Sequence, residues 1–336
     1  MGADHTDRAR PAFSAGPLSE LSMAPEEGDP CCIAITGPTA CGKTDLALAL
    51  AREFPIEIIS MDSAMVYRGM DIGTAKPDLV TRADVPHHLV DILDPEESYS
   101  AGRFAADARR LVSEIRARGA LALIVGGTML YLKALREGIA ELPERDPAIR
   151  AEIDRRAEAE GWGALHAELA AVDPEAAGRI EASDRQRIQR ALEVYAIAGQ
   201  PLTELQNQTS SPAMAVESLA LMPGDRQVLA GSIERRFAHL SEAGLVDEVR
   251  ALRARPGLTA ESSSMRAVGY RQVWAFLEGE CGWDEARERA VTATRQLAKR
   301  QLTWLRSDSS SERLDAGHPQ LLEVLRRRVG RSLDNS

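Results

Sequence analysis

From Cys31 onward the apolar positions fall in short unbroken runs. Cys31-Cys32-Ile33-Ala34-Ile35, Ile56 to Ser60, Leu121 to Val125 and Ser218 to Met222 each read as a strand covered on both faces. Between them the pattern is helical: Leu46, Leu48 and Leu50 stand among alanines after the first run, and Ala101 to Arg118 precedes the third. Alternation of this kind builds an α/β fold, a parallel sheet flanked by helices. Between Pro143 and Leu205 strand signals vanish and alanine, glutamate and arginine dominate, so residues 143–205 are expected to form an all-helical insertion. Inside it, Ser183 with Gln186 makes a candidate capping box, Gly199 a left-handed stop, and Pro201 follows. Further helices are expected over Ser232 to Arg253 and Trp283 to Arg306. The core is therefore expected to comprise residues 31–142 and 206–310, with a polar C-terminal tail over 311–336.

Composition constrains partners more than fold. With 336 residues and 44% of them hydrophobic, the chain can bury a core and carry an insertion. Lys and Arg number 41 against 51 Asp and Glu, a formal net charge of −10, so a nucleic-acid site has to be a local basic patch. Residues 1–30 scatter acids among Pro11, Gly16 and Pro25, which reads as a flexible tail rather than a signal or transit peptide. No apolar stretch approaches the roughly 18 residues of a membrane helix. Cys31 and Cys32 are adjacent, a poor geometry for a disulfide, and with Cys41 and Cys281 they show no zinc spacing. A reduced, cytoplasmic protein without a membrane partner is expected, with a monomer as the working expectation.

The sharpest local signal is Gly37-Pro38-Thr39-Ala40-Cys41-Gly42-Lys43-Thr44, which matches the phosphate-loop pattern G-x-x-x-x-G-K-[ST] between an apolar strand and a helix. Its glycines let backbone amides turn toward one anion, the following helix adds its positive end, Lys43 neutralises charge and the Thr44 hydroxyl can hold Mg2+. The third strand ends in Gly126-Gly127-Thr128 instead of the acid that usually completes a nucleotide-hydrolysing site. An acid stands elsewhere: Asp62, just past the second strand, belongs at the carboxyl edge of the sheet where such folds bind ligands. It suits a base, and it equally suits a turn or helix cap.

These segments resemble the tRNA dimethylallyltransferase family, also called isopentenyl-diphosphate:tRNA transferases, whose fold is P-loop NTPase-like. The likeness runs through Gly37 to Thr44, Ser60-Met61-Asp62-Ser63-Ala64, Tyr67 to Pro77, Pro86-His87-His88, Val125 to Thr128 with Tyr131, Gln186 to Val194, Arg266 to Arg271 and Thr294 to Arg306. It covers roughly residues 31 to 306, with Cys41 and Met61 as mild departures. The resemblance implies a prenyltransferase that moves the dimethylallyl group from dimethylallyl diphosphate to the N6 amine of a tRNA adenosine adjacent to the anticodon, with Mg2+ as cofactor. It places the diphosphate on Gly37, Pro38, Thr39, Ala40, Cys41, Gly42, Lys43 and Thr44, the metal at Thr44, and catalysis at Asp62, Thr128 and Arg236. It assigns tRNA contacts to Asp62, Ser63, Ala64, Met65, Thr128, Arg150, Gln186, Arg187, Ile188, Gln189, Arg190, Arg266, Arg271, Lys299, Arg300 and Arg306.

The residues fit that chemistry. The exocyclic amine is a weak nucleophile, so Asp62 would take its proton as it attacks, and the base has to leave its stack to reach a donor in the sheet crevice. From Arg295 to Arg306 four basic residues (Arg295, Lys299, Arg300, Arg306) occur without an acid, which supplies the local patch. Three alternatives stay open: a small-molecule kinase, transfer of the same group to a free adenine nucleotide, and a nucleotide-gated RNA-binding switch. His87, His88, Trp162, Trp274 and Trp283 are expected to serve structure.

Overall fold

The structure is a computed structural model and describes residues 30–140, 142–208 and 213–334; the expected N-terminal tail lies outside these apart from Pro30. Six strands form one parallel sheet: β1 (Ile33–Thr36), β2 (Ile56–Met61), β3 (His87–His88), β4 (Leu121–Gly126), β5 (Glu217–Met222) and β6 (Ser311–Asp315), in the order β3-β2-β4-β1-β5-β6. Every residue of β1 and β4 is buried, as the unbroken apolar runs require of strands with helices on both faces.

The helices around the sheet are α1 (Lys43–Ala51), α2 (Leu79–Asp84), α3 (Ala101–Ala117) and α4 (Met129–Glu137). The insertion holds α5 (Pro147–Glu160), α6 (Trp162–Val172), α7 (Pro174–Arg179), α8 (Arg185–Ala198) and α9 (Leu202–Asn207). After β5 come α10 (Arg226–Glu242), α11 (Leu245–Arg253), α12 (Tyr270–Leu277), α13 (Trp283–Ser307) and, beyond β6, α14 (Leu321–Asp334). One face of the sheet packs on α3 and α4 through Phe104, Ala108, Val112, Leu132 and Leu135. The other packs on α1 and α14 through Ala47, Leu50, Leu321, Leu325 and Val329. The insertion helices pack on a cluster of their own around Leu165, Leu169, Ile188, Leu192 and Val194.

Three expectations change. The polar tail expected over 311–336 contains β6 and α14, which complete the sheet and one of its faces. Leu321, Leu325 and Val329 supply an apolar stripe at spacings of four, while Arg326, Arg327, Arg328 and Arg331 on the other faces make the segment look polar. As an edge strand β6 buries only Ser311, and Arg328 ties it to β5 through Glu217 at 3.1 Å and Glu312 at 2.7 Å. The single helix expected over Ser232 to Arg253 is two, broken at Gly244, whose φ of 104° is left-handed. The N-cap of α8 is Asp184, accepting from the Arg187 N–H at 3.2 Å, instead of Ser183; Gly199 does end that helix with φ 66°.

Candidate functional site

β1, β2 and β4 lie side by side, and the segments that leave their carboxyl ends converge: the phosphate loop after β1, Asp62 after β2, Gly127 and Thr128 after β4. Close backbone approach makes this convergence exact in register. Met61 pairs with Gly126 across β2 and β4, and a Cβ on Gly126 would stand 2.1 Å from the Met61 carbonyl oxygen. The Thr128 N–H donates to that same oxygen at 3.3 Å. Its hydroxyl accepts the Ser63 N–H at 3.2 Å, so Thr128 is fixed to the turn that carries Asp62.

Asp62 uses one oxygen for structure. Its Oδ1 accepts the Ala64 N–H at 2.8 Å and the Met65 N–H at 3.3 Å, the turn role that sequence left open. Oδ2 is bonded to no described residue. Asp62 borders two cavities, one of about 500 Å3 that reaches the phosphate loop and one of about 620 Å3 that opens toward α10, α12 and α13. It therefore stands between a chamber at the phosphate loop and a second, wider one.

The first cavity is bordered by Thr39 to Asp45, Asp62, Met65, Thr74 and Arg236. Ala40 (φ 62°) and Gly42 (φ 85°) are both left-handed, which turns successive amides inward. Lys43 folds back on its own loop, donating to the Gly37 and Pro38 carbonyls at 3.0 and 2.6 Å, so those two residues shape the loop from behind and do not border the cavity. A Cβ on Gly37 would meet Cys41 Sγ at 2.8 Å and the Leu221 carbonyl at 2.9 Å, which explains why the loop needs glycine there and a small residue at 41. Arg236 donates to the Thr74 carbonyl at 3.0 Å. Burial pulls its guanidinium below the ordinary value and the Asp62 charge opposes this, so it faces the acid across the cavities.

A Mg2+ ion fits this chemistry only in part through the protein. The Thr44 hydroxyl borders the cavity beside Lys43, and among the described residues no group of three His, Cys, Asp or Glu could hold a metal. The ion would take one hydroxyl from the chain and its other oxygens from a diphosphate and water, an arrangement usual for Mg2+.

Ser63, Ala64, Thr128, Arg266 and Arg300 border the second cavity. Lys299, Arg306 and Arg271 are exposed nearby in sequence but border neither. The insertion residues fare differently. Ile188 is fully buried in the insertion core, so its side chain cannot meet RNA; it belongs to the apolar stripe of α8. Gln189 is held by Asp154 at 2.7 Å. Arg150 and Arg190 both bind the buried Glu193, at 2.8 to 3.1 Å, and Arg190 also reaches the Pro143 carbonyl. Only Gln186 and Arg187 of that run stand exposed. On α13, Arg295 pairs with Glu234, which removes it from the free patch.

Four residues were given no site role by the sequence reading. Glu248 of α11 accepts the N–H groups of Asp71, Ile72 and Gly73 at 2.8, 2.7 and 3.1 Å and the Tyr270 hydroxyl at 2.6 Å. It anchors the loop whose Thr74 carbonyl holds Arg236. His87 borders the first cavity, its Nδ1 against the Val85 carbonyl at 2.7 Å and its Nε2 buried without a partner; His88 pairs with Glu57 at 2.6 Å. Trp304 borders the second cavity. Gln301 borders both, and its signal was readable: it interrupts the apolar stripe Leu297, Gln301, Leu305 of α13.

The family model described as IPP transferase matches residues 65–308. The chain is 52% identical over 322 residues to the tRNA dimethylallyltransferase of Ralstonia nicotianae, covering 94% of this chain and 99% of that one. It is 56% identical over 280 residues to that of Bordetella parapertussis, covering 82% and 89%. In structure it is similar to the full-length tRNA isopentenylpyrophosphate transferase of Bacillus halodurans (TM-score 0.64, 35% identity, 90% of this chain and 97% of that one). It is also similar to a eukaryotic dimethylallyltransferase acting on tRNA (TM-score 0.73, 26% identity, 90% and 79%).

Proposed function

The chain belongs to the IPP transferase family and is a tRNA dimethylallyltransferase, and from that premise we propose how its residues carry out the transfer. Dimethylallyl diphosphate occupies the cavity of about 500 Å3 with its diphosphate on the phosphate loop, and the N6 amine of an adenosine next to the tRNA anticodon enters from the other cavity. The observation that carries this reading is Asp62: its side chain borders both cavities, with Oδ1 engaged by the turn and Oδ2 left for a substrate proton.

In the transfer the bond from the allylic carbon to the diphosphate oxygen breaks and the bond from N6 to that carbon forms. The proton lost by the amine passes to Asp62, and the electron pair of the broken bond leaves with the diphosphate. Negative charge grows on the leaving oxygens, facing the loop amides, Lys43 and Arg236. Thr44 would hold a Mg2+ ion, which would supply further charge neutralisation for the leaving diphosphate. Thr128 orients the acceptor side through its tie to Ser63. The kinase reading fits less well, because β4 ends in Gly126-Gly127 where a metal-holding acid is expected.

Incubating the protein with Mg2+, radiolabelled dimethylallyl diphosphate and either unmodified tRNA or AMP tests the proposal. Label in tRNA alone is the expected outcome. Label in AMP instead would overturn the acceptor assignment, and label in neither would overturn the placement of the donor.

A further inference from the structure

Helix α13 runs beside both cavities, and one of its side chains is bonded to two segments that line them. Gln301, 9% exposed, accepts the Thr39 N–H at 2.9 Å through Oε1 and donates to the Gly127 carbonyl at 2.9 Å through Nε2. A backbone N–H can only donate and a carbonyl can only accept, so the two partners fix the amide's orientation, and a carboxamide is the side chain that serves both. The packing is tight: a Cβ on Gly127 would stand 2.5 Å from Gln301 Nε2 and 3.1 Å from the Gly37 carbonyl. Gly127 is therefore glycine because this amide and the phosphate loop press on it from one side.

Both partners border both cavities, but they belong to different segments of the site assigned above. Thr39 is part of the loop that takes the donor's diphosphate. Gly127 precedes Thr128, whose hydroxyl holds the Asp62 turn through Ser63. The preceding residue on the helix, Arg300, borders the wider cavity, so the same segment of α13 carries a basic side chain toward the acceptor and an amide beside the phosphate loop.

Resting on that reading, we propose that Gln301 is a positioning residue that sets the separation between the diphosphate loop and the Thr128–Asp62 acceptor side. It touches no reacting atom. Its loss should leave both substrates able to bind and should lower the rate of their reaction, because a displacement of about 1 Å between reacting groups costs on the order of 100-fold.

The test uses the full chain with two substitutions, Gln301→Met, which keeps volume and removes both bonds, and Gln301→Glu, which keeps an acceptor for Thr39 and removes the donor for Gly127. Wild type and variants are compared by kcat, by KM for dimethylallyl diphosphate and by the Kd of unmodified tRNA, below the melting temperature of each. The expected result is a kcat about 30- to 100-fold lower in both variants, a tRNA Kd within about twofold of wild type, and a larger rise in donor KM for Gln301→Glu, whose charge faces the diphosphate. If Gln301→Met does not fold, Gln301→Glu carries the same comparison. A lowered Tm with kcat within about twofold of wild type would make Gln301 a fold-holding amide and overturn the proposal, as would a loss confined to tRNA affinity. A wild-type enzyme inactive on tRNA would instead sink the functional assignment itself, so the two failures are told apart.

Discussion

Two of the arginine-rich stretches of this molecule, the start of α8 in the insertion and the second half of α13, differ in what their side chains meet. On α8, Arg190 joins Arg150 of α5 around the fully buried Glu193. On α13, Lys299, Arg300 and Arg306 are exposed, and among the described residues none of them is paired with a carboxylate. In sequence both runs are rich in arginine, and only the α8 run contains an acid. In the structure Arg190, with Arg150, neutralises a buried acid and braces a small domain, while Lys299, Arg300 and Arg306 are available to phosphate. A count of basic residues therefore overstates the RNA surface of the insertion, and Glu193, three positions past Arg190, is what separates the cases.

The transfer step itself gives the largest expected effect and shows whether either basic region matters to chemistry. Asp62→Ala should reduce kcat by roughly 100- to 10,000-fold, the range for loss of a general base, with tRNA affinity little changed, read by single-turnover transfer alongside filter binding. Turnover within tenfold of wild type would remove Asp62 from that role. Arg236→Ala should lower kcat by roughly 100- to 1000-fold, as for loss of a preorganised charge on a developing anion. Its Thr74 partner in turn depends on the Glu248 carboxylate, so Glu248→Gln should reproduce a weaker version of the same defect.

How far the sequence could be read follows the same division. The strand-end cluster was legible because each part has a chemical reason tied to local order: glycines where a loop must turn amides inward, unbroken apolar runs where a strand is buried, an acid just past a strand. What escaped depends on partners distant in sequence. The place of Gln301 in an apolar stripe was readable, but its partner Thr39 lies 262 positions away and Glu248 meets Asp71 across 177, spacings that no periodicity carries. The final 26 residues were hidden for another reason, since one apolar residue in four suffices for a helix lying on a sheet face, and the arginines between dominate the composition.

Glu193 sharpens the comparison from the side of stability. Burial pushes its carboxyl up, but hydrogen bonds from Arg150, Arg190 and the Asp146 N–H outweigh this and hold it below the ordinary value of 4.5. A carboxylate with a depressed folded value contributes stability that is present above its unfolded value and lost as pH falls through the folded one. The insertion should accordingly weaken as pH drops below about 4.5. Glu193→Ala should destabilise it by about 3–5 kcal/mol, because it leaves two guanidiniums around an empty buried position. Thermal unfolding of wild type and variant across pH checks both, and a variant whose Tm and pH dependence match wild type would show that the pairs are idle.

The smallest effect is the one that decides whether the two basic regions differ in function. Each cation that neutralises a phosphate releases counterions, so log K for tRNA falls with log salt in proportion to the number of such contacts. Removing one contact reduces the slope by about 1 and weakens binding uniformly across sequences. Lys299→Ala, Arg300→Ala and Arg306→Ala should each show this reduction with Tm unchanged. Arg150→Ala should do the reverse, lowering Tm through the under-compensated buried charge of Glu193 while leaving the salt slope where it was. Equal slope losses from Arg150 and Arg300 would mean that tRNA pulls Arg150 away from Glu193 on binding, and the distinction drawn between paired and free arginines would then hold for the unbound protein alone.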